Sequence, residues 1–313
     1  VDGEGRVKLQ WLKSSEDPAA DKIERLRELI EEFDWSSIES AGVRPTPDAE
    51  HLSDELLDVY PMGDPHVGML AWSKETGDDF DHKIARRDLA SAFDHLATLP
   101  RDRAREALIV NLGDFFHSDD PSNRTRRSGA NLDVDSRWAK VLQVGLDIMV
   151  HAVDVVRQLH EKVTVWCLIG NHDDCSSQFL ALALNAYYRE DPRVTIETSP
   201  AKFLWHRFGK VLIGGAHGDT TKPAQLKDLM AVDRAADWGE TEFRYWLVGH
   251  VHHDRRVELP GCMVESFRTL APRDAWHAAQ GYRSGQDMKL ITYHREYGEI
   301  NRHTVGIKQL RSK

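Results

Sequence analysis

The sequence predicts an α/β protein, a four-layer α/β/β/α sandwich of two mixed β-sheets packed face to face with helices outside. Three observations carry this prediction. In the first part of the chain, apolar β-branched runs alternate with segments of helical period, as strand–helix–strand units do. Later strand-like runs are instead joined by short turns, as hairpins are. Five of the runs also stop abruptly, with Asp, Asn or His directly behind them. That is where an open α/β sheet holds its ligands.

Residues 1–50 read as an N-terminal helical extension and linker. Ile23, Leu26, Leu29, Ile30 and Phe33 recur at helical spacing, and Gly42 to Pro47 carries two prolines. Residues 51–313 hold the main domain. Its first run, Leu56 to Tyr60, leads to Asp64-Pro65-His66. Residues i and i+2 of an extended chain project to one side, so this carboxylate and imidazole can reach one cation.

Phe80 to Leu99 reads as an amphipathic helix crossing back to the strand Leu108 to Leu112. That strand ends at Gly113-Asp114-Phe115-Phe116-His117, before a polar loop from Ser118 to Arg127. Asp133 to His160 carries a long helical pattern through Trp138, Val141, Leu142, Leu146, Met149, Val153, Val156 and Leu159. The strand Val163 to Ile169 stops at Gly170-Asn171-His172-Asp173, and Ser177 to Tyr188 is helical again.

Ala201 to Arg207 and Lys210 to Gly215 flank Phe208-Gly209 as a hairpin, whose second strand runs into His217. A short helix near Ala224 to Ala231 precedes the strand Tyr245 to Val248, which runs into Gly249-His250-Val251-His252. Cys262 to Leu270, Lys289 to His294 and Asn301 to Ile307 are further strands, the last two joined by a turn at Tyr297-Gly298.

The formal net charge of −10 argues against a broad basic face for gripping duplex nucleic acid. Local contacts remain open through Arg124, Arg126 and Arg127, through Arg255-Arg256, and through the Arg101, Arg103 and Arg105 cluster. No apolar run reaches membrane-spanning length, and no signal peptide is read. Because the sequence begins at Val1 and not at Met, an upstream segment is expected. Cys167, Cys175 and Cys262 show no CxxC pairing, which fits reduced thiols and a cytoplasmic location.

Asp64, His66, Asp114, Asn171, His217, His250 and His252 together supply oxygen and nitrogen donors from five strand ends. One strand-end histidine alone would be an ordinary hydrogen-bonded residue. A DxH, a GD, a GNHD and a GHxH in this order, each behind an apolar run, point to a metal site. With these motifs, residues 56 to 307 resemble the calcineurin-like metallophosphoesterase superfamily. The resemblance implies two metals: Asp64, His66 and His252 on the first, Asn171, His217 and His250 on the second, and Asp114 bridging both. Only two of these donors are anionic, so two divalent cations leave a net charge of about +2, which suits a phosphate. Manganese is the first expectation, with iron, zinc, nickel and cobalt as alternatives, since the donor set holds no thiolate.

The resemblance also implies that His172 is not a ligand. It would protonate the leaving oxygen or stabilise phosphoryl charge, while Asp173 and Asp174 shape the loop. The stretch Gly113 to Ser122 resembles the GDxFH…PS stretch of double-strand-break repair nucleases, the calcineurin-like subunit of an ATPase-coupled complex. In those, the residue matching His117 helps set the phosphodiester or the leaving group; a plain surface histidine is the competing reading. The chain is similar as well to phage-encoded phosphoesterases labelled DNA repair exonucleases. No module for docking an ATPase partner is evident, and a homo-oligomer is compatible with the sequence.

The expected function is therefore metal-dependent phosphodiester hydrolysis, with DNA as substrate and a nuclease or exonuclease as the form. A small-molecule phosphodiesterase or phosphomonoesterase is the alternative. A non-catalytic protein-binding scaffold is the remote one, because all seven donor positions are filled.

Overall fold

The computed structural model describes residues 51–99 and 102–312. The predicted helix at 21–33, the linker after it and Arg101 lie outside the described residues. Two mixed sheets form the centre. The first has six strands in the order β11-β10-β1-β2-β3-β4: β1 (Leu52–Met62), β2 (Arg103–Asn111), β3 (Lys162–Cys167), β4 (Val194–Ile196), β10 (Asp287–His294) and β11 (Gly298–Gly306). The strands β1 to β4 run parallel, and the β10–β11 hairpin joins β1 antiparallel. The second has five strands in the order β5-β6-β7-β9-β8: β5 (Leu204–Phe208), β6 (Val211–Ala216), β7 (Phe243–Val248), β8 (Arg255–Leu259) and β9 (Cys262–Ser266).

Alternation along the strands assigns the layers. Leu57 and Val59 of β1 point into the core between the sheets, where they meet Leu108, Trp166, Ile213 and Leu247. Tyr60, one residue on, faces the opposite way and stacks on Phe93 at 6.0 Å. Phe93 belongs to α2 (His82–Ala97), which covers that outer face together with α3 (Trp138–Arg157) and α4 (Asp174–Tyr188); α1 (Ser73–Thr76) is a single turn before them. On the far side, Leu226 and Met230 of α5 (Pro223–Asp233) pack on Trp246 and Val264. The four-layer sandwich is as predicted.

Several boundaries differ for local reasons. The 133–160 pattern becomes helix only from Trp138 to Arg157, because Asp135 accepts the His82 backbone N–H and the 133–137 stretch runs alongside residues 68–70. The strand predicted from Cys262 to Leu270 stops at Ser266, where the chain turns to place Thr269 beneath Asp64. Arg255-Arg256, named above for local contacts, opens β8. Arg256 is paired with Glu299 at 2.6 Å and Glu265 at 3.7 Å. The short elements β4, α6 (Ala235–Glu240), α7 (Ala275–Ala279) and α8 (Ile307–Leu310) lack enough period to be read from sequence. Among the described residues no helix is long and apolar enough to cross a membrane.

Candidate metal centre

Strand register brings the loops together. Met62, Asn111 and Cys167 are lateral partners at the carboxyl ends of β1, β2 and β3, and Ala216 and Val248 are partners at the ends of β6 and β7. All five donor loops therefore leave the sandwich at one edge. Six non-glycine residues among those described have positive φ, and five belong to the predicted site: Asp64 (32°), His66 (47°), Asp114 (48°), His250 (67°) and His252 (52°). Such backbone costs about 1–3 kcal/mol per residue and persists only where the surroundings over-determine it.

The surroundings do so through backbone contacts between loops. The N–H of His66 donates to the Asp114 carbonyl at 3.0 Å, and that of Val67 to Phe115 at 2.7 Å. The N–H of His250 donates to both oxygens of Asp64 at 3.1 and 2.8 Å, and the Thr269 hydroxyl to the Asp64 carbonyl at 2.7 Å. Asp173, fully buried, accepts from the N–H groups of Asp114, Phe116 and Gly170 at 3.2, 3.1 and 3.0 Å and from the Ser177 hydroxyl at 2.7 Å. It locks the GNHD loop to the GD loop. Asp119 similarly holds the N–H groups of Cys175 and Ser176 at 2.9 Å.

The predicted metal donors fall into two groups, Asp64 with His66 and His252, and Asp114 with His217 and His250; a third group close enough to hold a cation joins His66 to His117 and His172. In the first, Nε2 of His252 lies 3.0 Å from Oδ2 of Asp64 and 3.2 Å from Nε2 of His66. These are the separations of neighbouring ligands around a cation bonded at about 2.1 Å. Burial, followed by His172 and His252, holds His66 well below the usual histidine range, so it is neutral.

In the second group, Nδ1 of His217 donates to the Leu112 carbonyl at 2.9 Å. That bond fixes the tautomer and leaves Nε2 facing Oδ2 of Asp114 at 3.2 Å and Oδ1 of Asn171 at 3.1 Å. A lone pair facing a carboxylate oxygen needs a cation between them, and a proton answers the same need. Burial pulls the His217 pKa down, but the Asp114 carboxylate outweighs it and pushes it up to about 10. Burial would likewise raise Asp114, yet His217 holds it far below the carboxylate range. Both groups fit a divalent cation in donor chemistry and spacing.

His117 and His172 stand beside the first group. Nδ1 of His117 lies 3.3 Å from Nδ1 of His66, and the His117 and His172 rings stack at 5.5 Å. His117 is buried, which removes the surface-histidine reading, and burial with His172 lowers its pKa to about 3. Nδ1 of His172 donates to the His117 carbonyl at 3.0 Å, leaving Nε2 for the cleft. The His172 N–H donates to Oδ1 of Asp114 at 2.8 Å. Seven of the nine sequence-predicted site residues line one cleft of about 370 Å³, and the other two, Asp64 and His217, are grouped with lining residues behind it.

A model of the calcineurin-like phosphoesterase family matches residues 59–256, well over half of the chain. The chain belongs to the calcineurin-like phosphoesterase family. That family binds divalent metals and hydrolyses phosphoesters. No curated protein matches the chain significantly. Among solved structures, the chain is similar to Vps29 from Entamoeba histolytica complexed with Zn (14% identity, 80% of this chain and 99% of that one, TM-score 0.34). It is similar also to an archaeal phosphodiesterase (13% identity, 79% and 99% covered, TM-score 0.36). A third is a predicted phosphoesterase from Streptococcus pneumoniae (11% identity, 80% and 98% covered, TM-score 0.32). TM-scores this low add nothing to the assignment, which rests on the family match.

Two parts of the phosphoesterase cleft carried no sequence signal. The 125–133 loop supplies Thr125, Ser128, Asn131 and Leu132 as one wall. Arg124, Arg126 and Arg127 are exposed on or beside this loop, and Arg126 is paired with Asp174 at the start of α4. The other wall is Asp274, which caps α7, with Trp276 and His277 on that helix, all outside every donor motif. His277 stacks on His252 at 5.1 Å, and only the fold reveals that contact.

Proposed function

We propose that the phosphoesterase is a dinuclear-metal phosphodiesterase acting on nucleic acid strands, with DNA as the substrate class. The observation that carries the reading is the pair of donor groups, Asp64/His66/His252 and Asp114/His217/His250, at the floor of one cleft with His117 and His172 beside them. When bound, two divalent cations supply Lewis acidity at phosphoryl oxygens and a water-derived nucleophile at neutral pH. Asp114 belongs to the second group, its Oδ2 beside His217, and is the candidate for a ligand shared by both metals. Asn171 and His250 complete the second set.

His172, held by the His117 carbonyl, presents Nε2 where a departing oxygen needs a proton or a phosphoryl oxygen needs a donor. His117, neutral and buried, offers one hydrogen bond to the same region. Manganese is the proposed metal. The cleft of about 370 Å³ is at the small end for a ligand site. It therefore favours a strand end or a single strand over intact duplex. The same volume supports the second reading, a phosphodiesterase of cyclic or small nucleotides.

A panel of single- and double-stranded DNA, RNA, cyclic nucleotides and a chromogenic phosphodiester, assayed with Mn, tests the proposal. Cleavage of single strands or ends is expected. Turnover of cyclic nucleotides far above any DNA would replace the nuclease reading with the second one.

A further inference from the structure

An aromatic group at the rim of the cleft is left unused by the donor set and by the ion pairs. Trp276 is 59% exposed and Tyr282 is 41% exposed, although each is large enough to be a core anchor. Their rings lie 6.0 Å apart at 37°, and His277 stands edge-on to both at 5.0 and 5.1 Å. His277 in turn stacks on the candidate ligand His252.

Hydrogen bonds brace the segment that carries the group. Asp274 accepts from both the N–H and Nδ1 of His277 at 2.7 Å, capping α7. The Tyr282 N–H donates to the His277 carbonyl at 3.1 Å, and the Gln286 amide ties the end of the segment to the Leu270 carbonyl at 3.0 Å. Rings presented to water on a braced segment, one of them lining the cleft, are placed to meet a flat partner.

We propose that Trp276, with Tyr282 beside it, is a stacking platform for a nucleobase whose phosphate sits at the metal centre. The inference rests on the reading of this site as a phosphodiesterase and names its substrate class: nucleotides rather than base-free phosphoesters. A nucleobase stands one sugar away from its phosphate, and Trp276 stands one ring, that of His277, away from His252. Stacking on an indole tolerates every base, because each has a π-face. Tyr282 extends the apolar surface for the same base or its neighbour, and the anionic Asp274 is occupied by His277 rather than aimed at the platform.

The test is calorimetric binding of AMP and of ribose 5-phosphate to the full chain loaded with Mn, since the two differ only by the base. AMP should bind wild type roughly 5- to 150-fold more tightly, the range for one stacked base. Trp276→Ala should bring AMP down to the level of ribose 5-phosphate and leave ribose 5-phosphate unchanged. Trp276→Phe should keep most of the difference, and Tyr282→Ala should lose part of it. Equal binding of the two ligands to wild type, or equal weakening of both by Trp276→Ala, would overturn the platform. Base discrimination in a protein that cleaves no phosphodiester would uphold the platform and reject the phosphodiesterase reading. Diester cleavage without discrimination would do the reverse.

Discussion

Gly170 and Asp114 are in such close contact that a Cβ on Gly170 would stand 2.0 Å from Oδ1 of Asp114 and 2.2 Å from its backbone nitrogen. The glycine ending the third parallel strand is thus required by the carboxylate ending the second. Gly249 has the same relation to Asp64, at 2.3 Å from Oδ1. Gly170→Ala should displace Asp114, lowering metal content and hydrolysis by about 10²-fold or more, the scale for a misplaced reacting geometry. Elemental analysis beside turnover checks this, and wild-type values for both would refute it.

His172→Ala separates chemistry from metal binding. The substitution keeps the backbone N–H that holds Asp114 and removes only the ring facing the cleft. Turnover should fall by about 10²–10⁴ with metal content unchanged. Metal lost along with activity would make His172 a ligand or a structural residue.

Charge at the rim is best probed at Arg127, which is exposed, rather than at Arg126, whose partner Asp174 opens α4. Arg127→Glu should raise KM for DNA, more so at low salt, while sparing a small chromogenic diester. Equal losses on both substrates would remove this arginine from strand binding.

Asp58 tests a part of the fold remote from catalysis. It is fully buried in β1, with one oxygen accepting from Thr292 at 2.6 Å and the other without a hydrogen-bond partner among the described residues. Burial pushes its pKa up to about 6, partly offset by Thr292. With the folded value above the unfolded one, the native chain holds the extra proton between about pH 4 and 6. Stability therefore falls as pH rises through that window, and the penalty is complete above it. Asp58→Asn should stabilise the metal-free protein by up to about 3 kcal/mol at pH 7.5 and by little at pH 4. Urea midpoints at the two pH values measure this, and a destabilised variant at pH 7.5 would contradict it.

The layers and the donor positions were legible because two strong signals coincide. Apolar runs such as Val163 to Ile169 mark buried parallel strands, and polar residues placed directly behind them can serve only the sheet edge. What stayed hidden depends on pairing across long separations. Arg255-Arg256 read as open for local nucleic-acid contacts, whereas β8 pairs with β9 and Arg256 meets Glu299. Nothing in the five residues of α7 announces that His277 would stack on His252. The cleft wall is made by tertiary return of the chain, which local periodicity does not encode. The left-handed backbone at five site residues is a further case: Asp and His are enriched in that region, yet most of them lie elsewhere, so the residue type alone does not mark it.

Titration of the chelator-stripped protein with Mn, following metal bound per chain and hydrolysis of a chromogenic phosphodiester together, tests the dinuclear claim most directly. The account predicts no turnover without metal, full turnover at two Mn per chain, and loss of both the second equivalent and activity in Asp114→Asn. Saturation of activity at one Mn per chain, or turnover that persists in excess chelator, would contradict it.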